Sequence, residues 1–393
     1  MNDLKYMDAF EHDFAKRKAD FQRKLVALRA VLKEQSLDAL VLSYGVNFSW
    51  LTNGARNLIF TGSEVGVASL YVDATRVVVL TNNIEGHRFL NEEFRGLEGE
   101  ITSLEDQWYE ERSAVEKAKF LAKSEKVAED ASSPVLEARL GEVRTPLSQY
   151  EMDIFRQLGH ECGEVIGEVA RSILPGMTEW QIAGVLTGKL QARAIEPVVL
   201  LVAADERVNT SRHALPTTKR VKNKVMLVVC GRRAGLILNV TRMIYITTTP
   251  NATVPEDLLR RHEAATYVEA AVIARTRTAG IKGKDMFKTL QEAYAEKGYA
   301  DEWKLHHQGG CTGYQSREWV ANPSVERVTG TNQAYTWNPS ITGTKSEDTI
   351  LCYNDAAGKA VIELISVSPD WPMIKHTIGD FVFEKPAILH IAL

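Results

Sequence analysis

Beyond residue 146 the chain follows one order twice, a pair of helices and then strands, and this repetition restricts the fold more than any single motif. Ser148 and Glu151 have capping-box spacing, in which a hydroxyl and a carboxylate three residues apart satisfy backbone N–H groups that a helix start leaves open. Behind them Phe155, Leu158, Cys162, Ile166, Val169 and Ile173 form an apolar stripe of helical period, and the helix stops at Pro175-Gly176. Thr178 and Gln181 cap a second helix. Thr253 and Glu256 repeat the spacing, with Pro255 inside the first turn of a long helix running to Gly280, and a further helix runs from Lys284 to Gly298. Strand-like runs follow each pair, at 197–202 and 225–246 and again at 334–337 and 349–353. Two such units predict a pseudo-symmetric α+β domain with a ligand site between its halves. Helix–helix–strand order also arises without duplication, so the symmetry is itself an expectation.

The preceding part has a different texture. Phe14, Phe21, Leu25, Leu28 and Leu32 recur at steps of seven, four, three and four and predict an amphipathic helix. Apolar runs at 37–42 and 68–80, with turn signals at Asn53-Gly54 and Asp73, read as strands and make this an α/β domain. From 105 to 140 the sequence turns charged and irregular, until Thr145-Pro146 marks extended chain before a new helix. The boundary is placed there, giving domains 1–145 and 146–393.

Composition narrows the function. A chain of 393 residues, 45% hydrophobic and 25% charged, excludes disorder, a collagen repeat and a small disulfide scaffold. No run of about 18 apolar residues occurs and the first residues are charged rather than a signal core, so a cytoplasmic protein without membrane contact is expected. The 47 basic and 51 acidic residues nearly cancel, and no field attracts nucleic acid. Cys162, Cys230, Cys311 and Cys352 show no CxxC spacing, which suits reduced thiols. A small-molecule or short-peptide ligand remains.

Few residues offer chemistry. His213 lies in a polar loop, where an imidazole can move a proton near neutral pH, although a solvated loop histidine would look the same. His306 and His307 precede a stretch with three glycines, Gly309, Gly310 and Gly313, which lets backbone approach a ligand. As neighbours on a strand the two histidines would face opposite sides, and a packed imidazole in a Gly-rich turn is the plain alternative. Metal binding is weakly indicated there, because no partner has ligand spacing. Glu347, opening the 349–353 strand, can serve as a general base or bind a cationic group, or simply be a solvated strand end. Cys230 and Cys311 lack an activating pattern. No GxSxG elbow, phosphate-binding loop or GxGxxG after a strand occurs, so nucleotide use is unsupported.

These pieces resemble the pita-bread family of aminopeptidase P, prolidase, methionine aminopeptidase and creatinase, over nearly the whole chain. Residues 37–53, LDALVLSYGVNFSWLTN, are similar to the amino-terminal domain of the aminopeptidase P branch, and ILPGMTE at 173–179 resembles the family's helix junction. Val240-Thr241-Arg242 matches the end of its Asp-x-Thr-Arg segment, and Glu347-Asp348-Thr349 its closing Glu-Asp-Thr. The resemblance implies an amino-terminal creatinase-like α/β domain, a carboxy-terminal pita-bread domain, and the family habit of forming homodimers.

Family peptidases bind two divalent metals through two Asp, one His and two Glu, whose shared water attacks the peptide carbonyl. The resemblance places these positions at Val228, Asn239, Gly310, Asn338 and Glu347, so four of five ligands are replaced. One carboxylate with neutral amides does not offset two divalent ions, and neither a metal nor another cofactor is expected. His213 matches the family's substrate-side histidine in a His-Ala-Leu-Pro-Thr context, His306 matches a second, and Arg317-Glu318 stands where many members carry His-Glu. The resulting expectation is a metal-independent hydrolase of a small C–N bonded substrate, for which creatinase is the family precedent. Its catalytic groups are His213, Glu347 and His306, with Asn239, Asn338, Arg317 and His307 binding substrate. A pseudopeptidase that binds a ligand or partner is the alternative, and a metal-dependent Xaa-Pro aminopeptidase or dipeptidase the third reading.

Overall fold

The computed structural model describes residues 13–393; the charged opening segment read above lies mostly before them. The chain divides into two compact units, 13–151 with 234–236, and 152–233 with 237–393.

In the first unit, α1 (Phe14–Glu34) buries Phe21, Leu25, Leu28 and Leu32, the stripe its spacing predicts. A five-stranded sheet follows, built from β1 (Ala39–Tyr44), β2 (Val65–Asp73), β3 (Val77–Asn82), β4 (Thr102–Asp106) and β5 (Val127–Glu129) in the order β4-β3-β2-β1-β5. The 68–80 run is a hairpin, since Asp73 turns the chain by accepting the backbone N–H groups of Thr75 and Arg76. Asn53 and Gly54 adopt left-handed conformations, as a turn there needs. The segment read as irregular is ordered: β4, α2 (Ala114–Ala122), β5 and α3 (Pro134–Arg144) occupy it. Its charges hid a capping box at Ser113 and Glu116.

The second unit repeats the helix-pair and sheet order. Ser148 Oγ accepts the Glu151 N–H and Glu151 Oε2 accepts the Ser148 N–H, which caps α4 (Gln149–Ser172), and the six-residue apolar stripe is buried. Thr178 and Gln181 make the capping box of α5 (Glu179–Gln191). Strands β6 (Glu196–Ala204), β7 (Lys224–Arg233) and β8 (Leu236–Thr247) form the first sheet, which the terminal strand extends beside β8. The second half opens with α6 (Glu256–Thr276), which departs from expectation at both ends. Pro255 is its N-cap, Thr253 makes no cap bond, and it stops at Thr276 rather than Gly280. Proline has the φ that a helix start needs but offers no side-chain acceptor. Then α7 (Gly283–Glu296) leads to the second sheet of β9 (Gly309–Thr312), β10 (Trp319–Val320), β11 (Gln333–Trp337), β12 (Asp348–Asn354) and β13 (Ala360–Leu364), ordered β10-β9-β11-β12-β13. Its core joins α6 and α7 to Trp319, Tyr335 and Trp337. Among the described residues no helix is long and apolar enough to cross a membrane.

Candidate functional site

Two crossing connections bring the chemistry together inside the second unit. After β11 the chain passes Asn338-Pro339 and a short hairpin, Ser340–Ile341 against Thr344–Lys345, before entering β12. Glu347 lies in that last crossing and is pinned to β8, because Thr241 N–H donates to Glu347 O at 3.0 Å. Its carboxylate turns inward and is buried. Oε2 accepts from Thr241 Oγ1 at 2.6 Å and pairs with Lys345 Nζ at 2.7 Å. Oε1 accepts from Arg317 Nη2 at 3.1 Å. Burial alone would raise the Glu347 pKa, but the two cations and the hydroxyl overcome it and hold the group at about 2.

Arg317 comes from the connection between β9 and β10, and its Nη2 also donates to Asn338 Oδ1 at 3.1 Å. One guanidinium nitrogen therefore joins two of the positions that the family resemblance assigns to metal ligands. Lys345, two residues before Glu347, is a functional neighbour that the sequence reading passed over. Its signal was present in that spacing, which in extended chain puts both side chains on one face.

The histidines form a second group. His306 follows the turn Glu302–Leu305 and is buried, whereas His307 and His213 reach solvent. His306 Nε2 lies 3.2 Å from His213 Nε2, and the ring centroids of His306 and His307 are 4.6 Å apart. The His213 ring stands 5.0 Å from that of His306 and 5.6 Å from that of His307. The expectation that His306 and His307 point to opposite faces of a strand is corrected. Both precede β9, and the irregular backbone lets the rings lie on one side. Burial pushes His306 down to about 2, with Lys345 adding to it, and His307 down to about 4, with Arg317 adding to it. His213 is lowered as well, chiefly by burial. All three imidazoles are neutral at pH 7. Asn338 Nδ2 lies 3.5 Å from His306 Nε2 and so links the two groups.

Asn239 stands apart from the histidines. Its Nδ2 donates to Thr312 Oγ1 in β9 at 3.2 Å and to Thr336 Oγ1 in β11 at 3.3 Å. The remaining positions carry no ligand chemistry. Val228 is buried in an apolar cluster with Leu201, Met226 and Met243. At Gly310 an added Cβ would meet Trp319 O at 2.1 Å, so the β9–β10 pairing closes the space a side chain would need. Cys230 and Cys311 are buried and free, and burial pushes Cys230 up to about 12, which leaves it an inert thiol.

A profile of metallopeptidase family M24 matches residues 153–354, just over half of the chain. The protein belongs to that family. Among solved structures it is similar to the dipeptidase PepE from Mycobacterium ulcerans, with a TM-score of 0.72 at 16% identity over 96% of this chain and 99% of that one. The Xaa-Pro dipeptidase from Bacillus anthracis gives 0.68 at 15% identity over 95% and 100%. The N-terminal domain of FACT complex subunit SPT16 from Cicer arietinum gives 0.63 at 12% identity over 91% and 96%. At these identities the likeness shows a shared pita-bread fold of two domains. No curated protein matches the sequence.

Proposed function

We propose that the protein is a hydrolase of a small C–N bonded substrate, a peptide or a guanidino or amide compound, that works without the dinuclear metal centre of its family. The observation that carries this reading is the pairing of Glu347 with Arg317 and Lys345. The one carboxylate left among the five ligand positions is already neutralised by cations of the chain itself. An apolar Val228 and a closed space at Gly310 complete a set that does not fit two divalent ions.

Arg317, Lys345 and Glu347 together carry one net positive charge beside three neutral imidazoles, which suits a substrate bearing a carboxylate. Arg317 and Asn338 hold that substrate, with His306 and His307 as hydrogen-bonding partners. His213, the most accessible of the proton-handling groups, takes a proton from water at Nδ1, since its Nε2 faces His306, as the water oxygen bonds to the carbonyl or amidine carbon. The same proton then passes to the leaving nitrogen as the C–N bond breaks and its electron pair leaves with nitrogen. Glu347, with a pKa held near 2 and both oxygens engaged, is a poor proton acceptor, and its role is to fix Arg317. Asn239 ties β8 to β9 and β11 through Thr312 and Thr336, and its backbone exchanges hydrogen bonds with the Thr349 hydroxyl just after the crossing.

The test is hydrolysis of X-Pro dipeptides and creatine-like guanidino compounds with and without chelator. Chelator-resistant turnover that disappears in His213→Ala supports the reading, and turnover abolished by chelator, or two tightly bound ions per chain, overturns it. A non-catalytic binding role is the second reading, favoured by the likeness to the N-terminal domain of SPT16, a subunit of the FACT complex. The expected homodimer and cytoplasmic location belong to the same proposal, and sedimentation of the purified chain tests the first.

A further inference from the structure

The three imidazoles have a geometry that proton transfer alone does not require. One nitrogen from each of His213, His306 and His307 lies within 4.8 Å of the other two. Two nitrogens bound to a single tetrahedral ion at about 2.0–2.1 Å stand roughly 3.3 Å apart, and His306 Nε2 and His213 Nε2 are 3.2 Å apart. His306 Nδ1 lies 3.2 Å from Ser340 Oγ. When that nitrogen carries the proton and donates to the hydroxyl, the Nε2 lone pair faces the other rings. A hydrogen bond of this kind on the far nitrogen orients ligating histidines and fixes their tautomer.

We propose that His213, His306 and His307 bind one divalent transition-metal ion of the zinc class, at a place other than the family's five ligand positions, and that this ion switches off the hydrolase. Three neutral nitrogens and no carboxylate select zinc, cobalt, nickel or copper over the oxygen-seeking magnesium, calcium and manganese. The fourth position opens toward the exposed His213 and His307. Lys345 and Arg317 nearby make an anion, hydroxide or a substrate carboxylate, the preferred fourth ligand. Binding replaces the His213–His306 contact: His306 keeps its proton on Nδ1, and His213 carries its own on Nδ1, leaving both Nε2 lone pairs on the ion. With the ion on Nε2 and the proton on Nδ1, His213 then has no lone pair left to accept a proton. The inhibitory half of the inference rests on the proposed hydrolase; the binding half does not.

Purified full-length protein, stripped with chelator and dialysed, is titrated with Zn²⁺ by calorimetry and with Co²⁺ by visible absorption. One ion per chain is expected, with the intense bands of four-coordinate Co²⁺. His213→Gln and His307→Gln, both at exposed positions and checked for folding by circular dichroism, each lose at least about tenfold in affinity, and Ser340→Ala loses about tenfold. No bound ion, two ions, or full affinity in both histidine variants overturns the site. With the site established, turnover of the stripped protein should fall as one equivalent of Zn²⁺ is added and return with chelator. Turnover that rises with Zn²⁺ overturns the inhibitory role, whereas absence of turnover in every state tells against the hydrolase and leaves the metal site standing.

Discussion

Arg317 Nη2 lies 3.1 Å from Glu347 Oε1 and 3.1 Å from Asn338 Oδ1, so a side-chain cation bridges two residues that the family resemblance assigns to acidic metal-ligand positions. With Lys345 on the other oxygen, the buried Glu347 carboxylate pairs with two cations, Lys345 buried and Arg317 10% exposed. Glu347→Gln should therefore take the carboxylate away from both and cost about 3–5 kcal/mol, the usual penalty for breaking a buried pair from one side. The double variant with Arg317→Gln should recover part of that loss, because it removes one of the two charges that the carboxylate offset. Urea unfolding of the two variants and the parent measures the coupling, and strictly additive losses would contradict it.

The helices of the second unit were legible because caps and apolar stripes are local. Ser148 and Glu151, or Thr178 and Gln181, interact across three residues and need no tertiary information. The same signal at Ser113 and Glu116 was masked by a run of charges, so a real helix read as irregular chain. The family resemblance assigns Asn239, Asn338 and Glu347 to ligand positions by motif. What they touch could not be assigned in that way: Arg317 meets Glu347 across 30 residues and His213 meets His306 across 93, and only the folded connections determine those distances.

Acid should weaken the fold in two stages with different owners. His262 is held at about 4 and His306 at about 2 by burial, against an ordinary value of 6.5. A histidine with a depressed pKa contributes stability above pH 6.5 that is lost as pH falls below it, since the unfolded chain takes up the proton first. From pH 7.5 to pH 5.5 the two buried histidines should together remove about 2–3 kcal/mol. Glu347 acts lower, losing its contribution as pH falls from about 4.5 towards 2. Urea midpoints at pH 7.5 and 5.5 test the first stage, and an unchanged midpoint would refute it.

Gly310 should tolerate no side chain. A methyl there meets the Trp319 carbonyl oxygen at 2.1 Å, and both atoms belong to paired strands rather than to flexible side-chain ends. Gly310→Ala should cost about 1–3 kcal/mol, as overpacking of a fixed backbone does. Gly310→His should restore no metal ligand, because the imidazole can enter only by separating β9 from β10. A thermal melt of the first variant and a Mn²⁺ titration of the second check both outcomes.

The position of Glu347 depends on a charge cluster one residue further along. Asp348 pairs with Arg242 at 2.9 Å and with Lys385, and Lys385 Nζ also lies 2.7 Å from Glu269 Oε1, all of them buried. Glu269 in turn accepts the Asp348 N–H at 3.0 Å and so holds the start of β12. Lys385→Met would leave Glu269 and Asp348 as neighbouring carboxylates with Arg242 paired to Asp348, and like charges in that setting drive one of them to take up a proton. A protonated Glu269 or Asp348 is a weaker anchor, and the crossing that carries Glu347 should loosen. The expected result is a loss of about 3–5 kcal/mol, with stability now rising as pH falls from 7 to 5.5 relative to the parent. Lys385→Arg should retain most of the stability, since the charge remains. Equal losses in both variants would show that packing of the lysine stem, rather than its charge, supports the site.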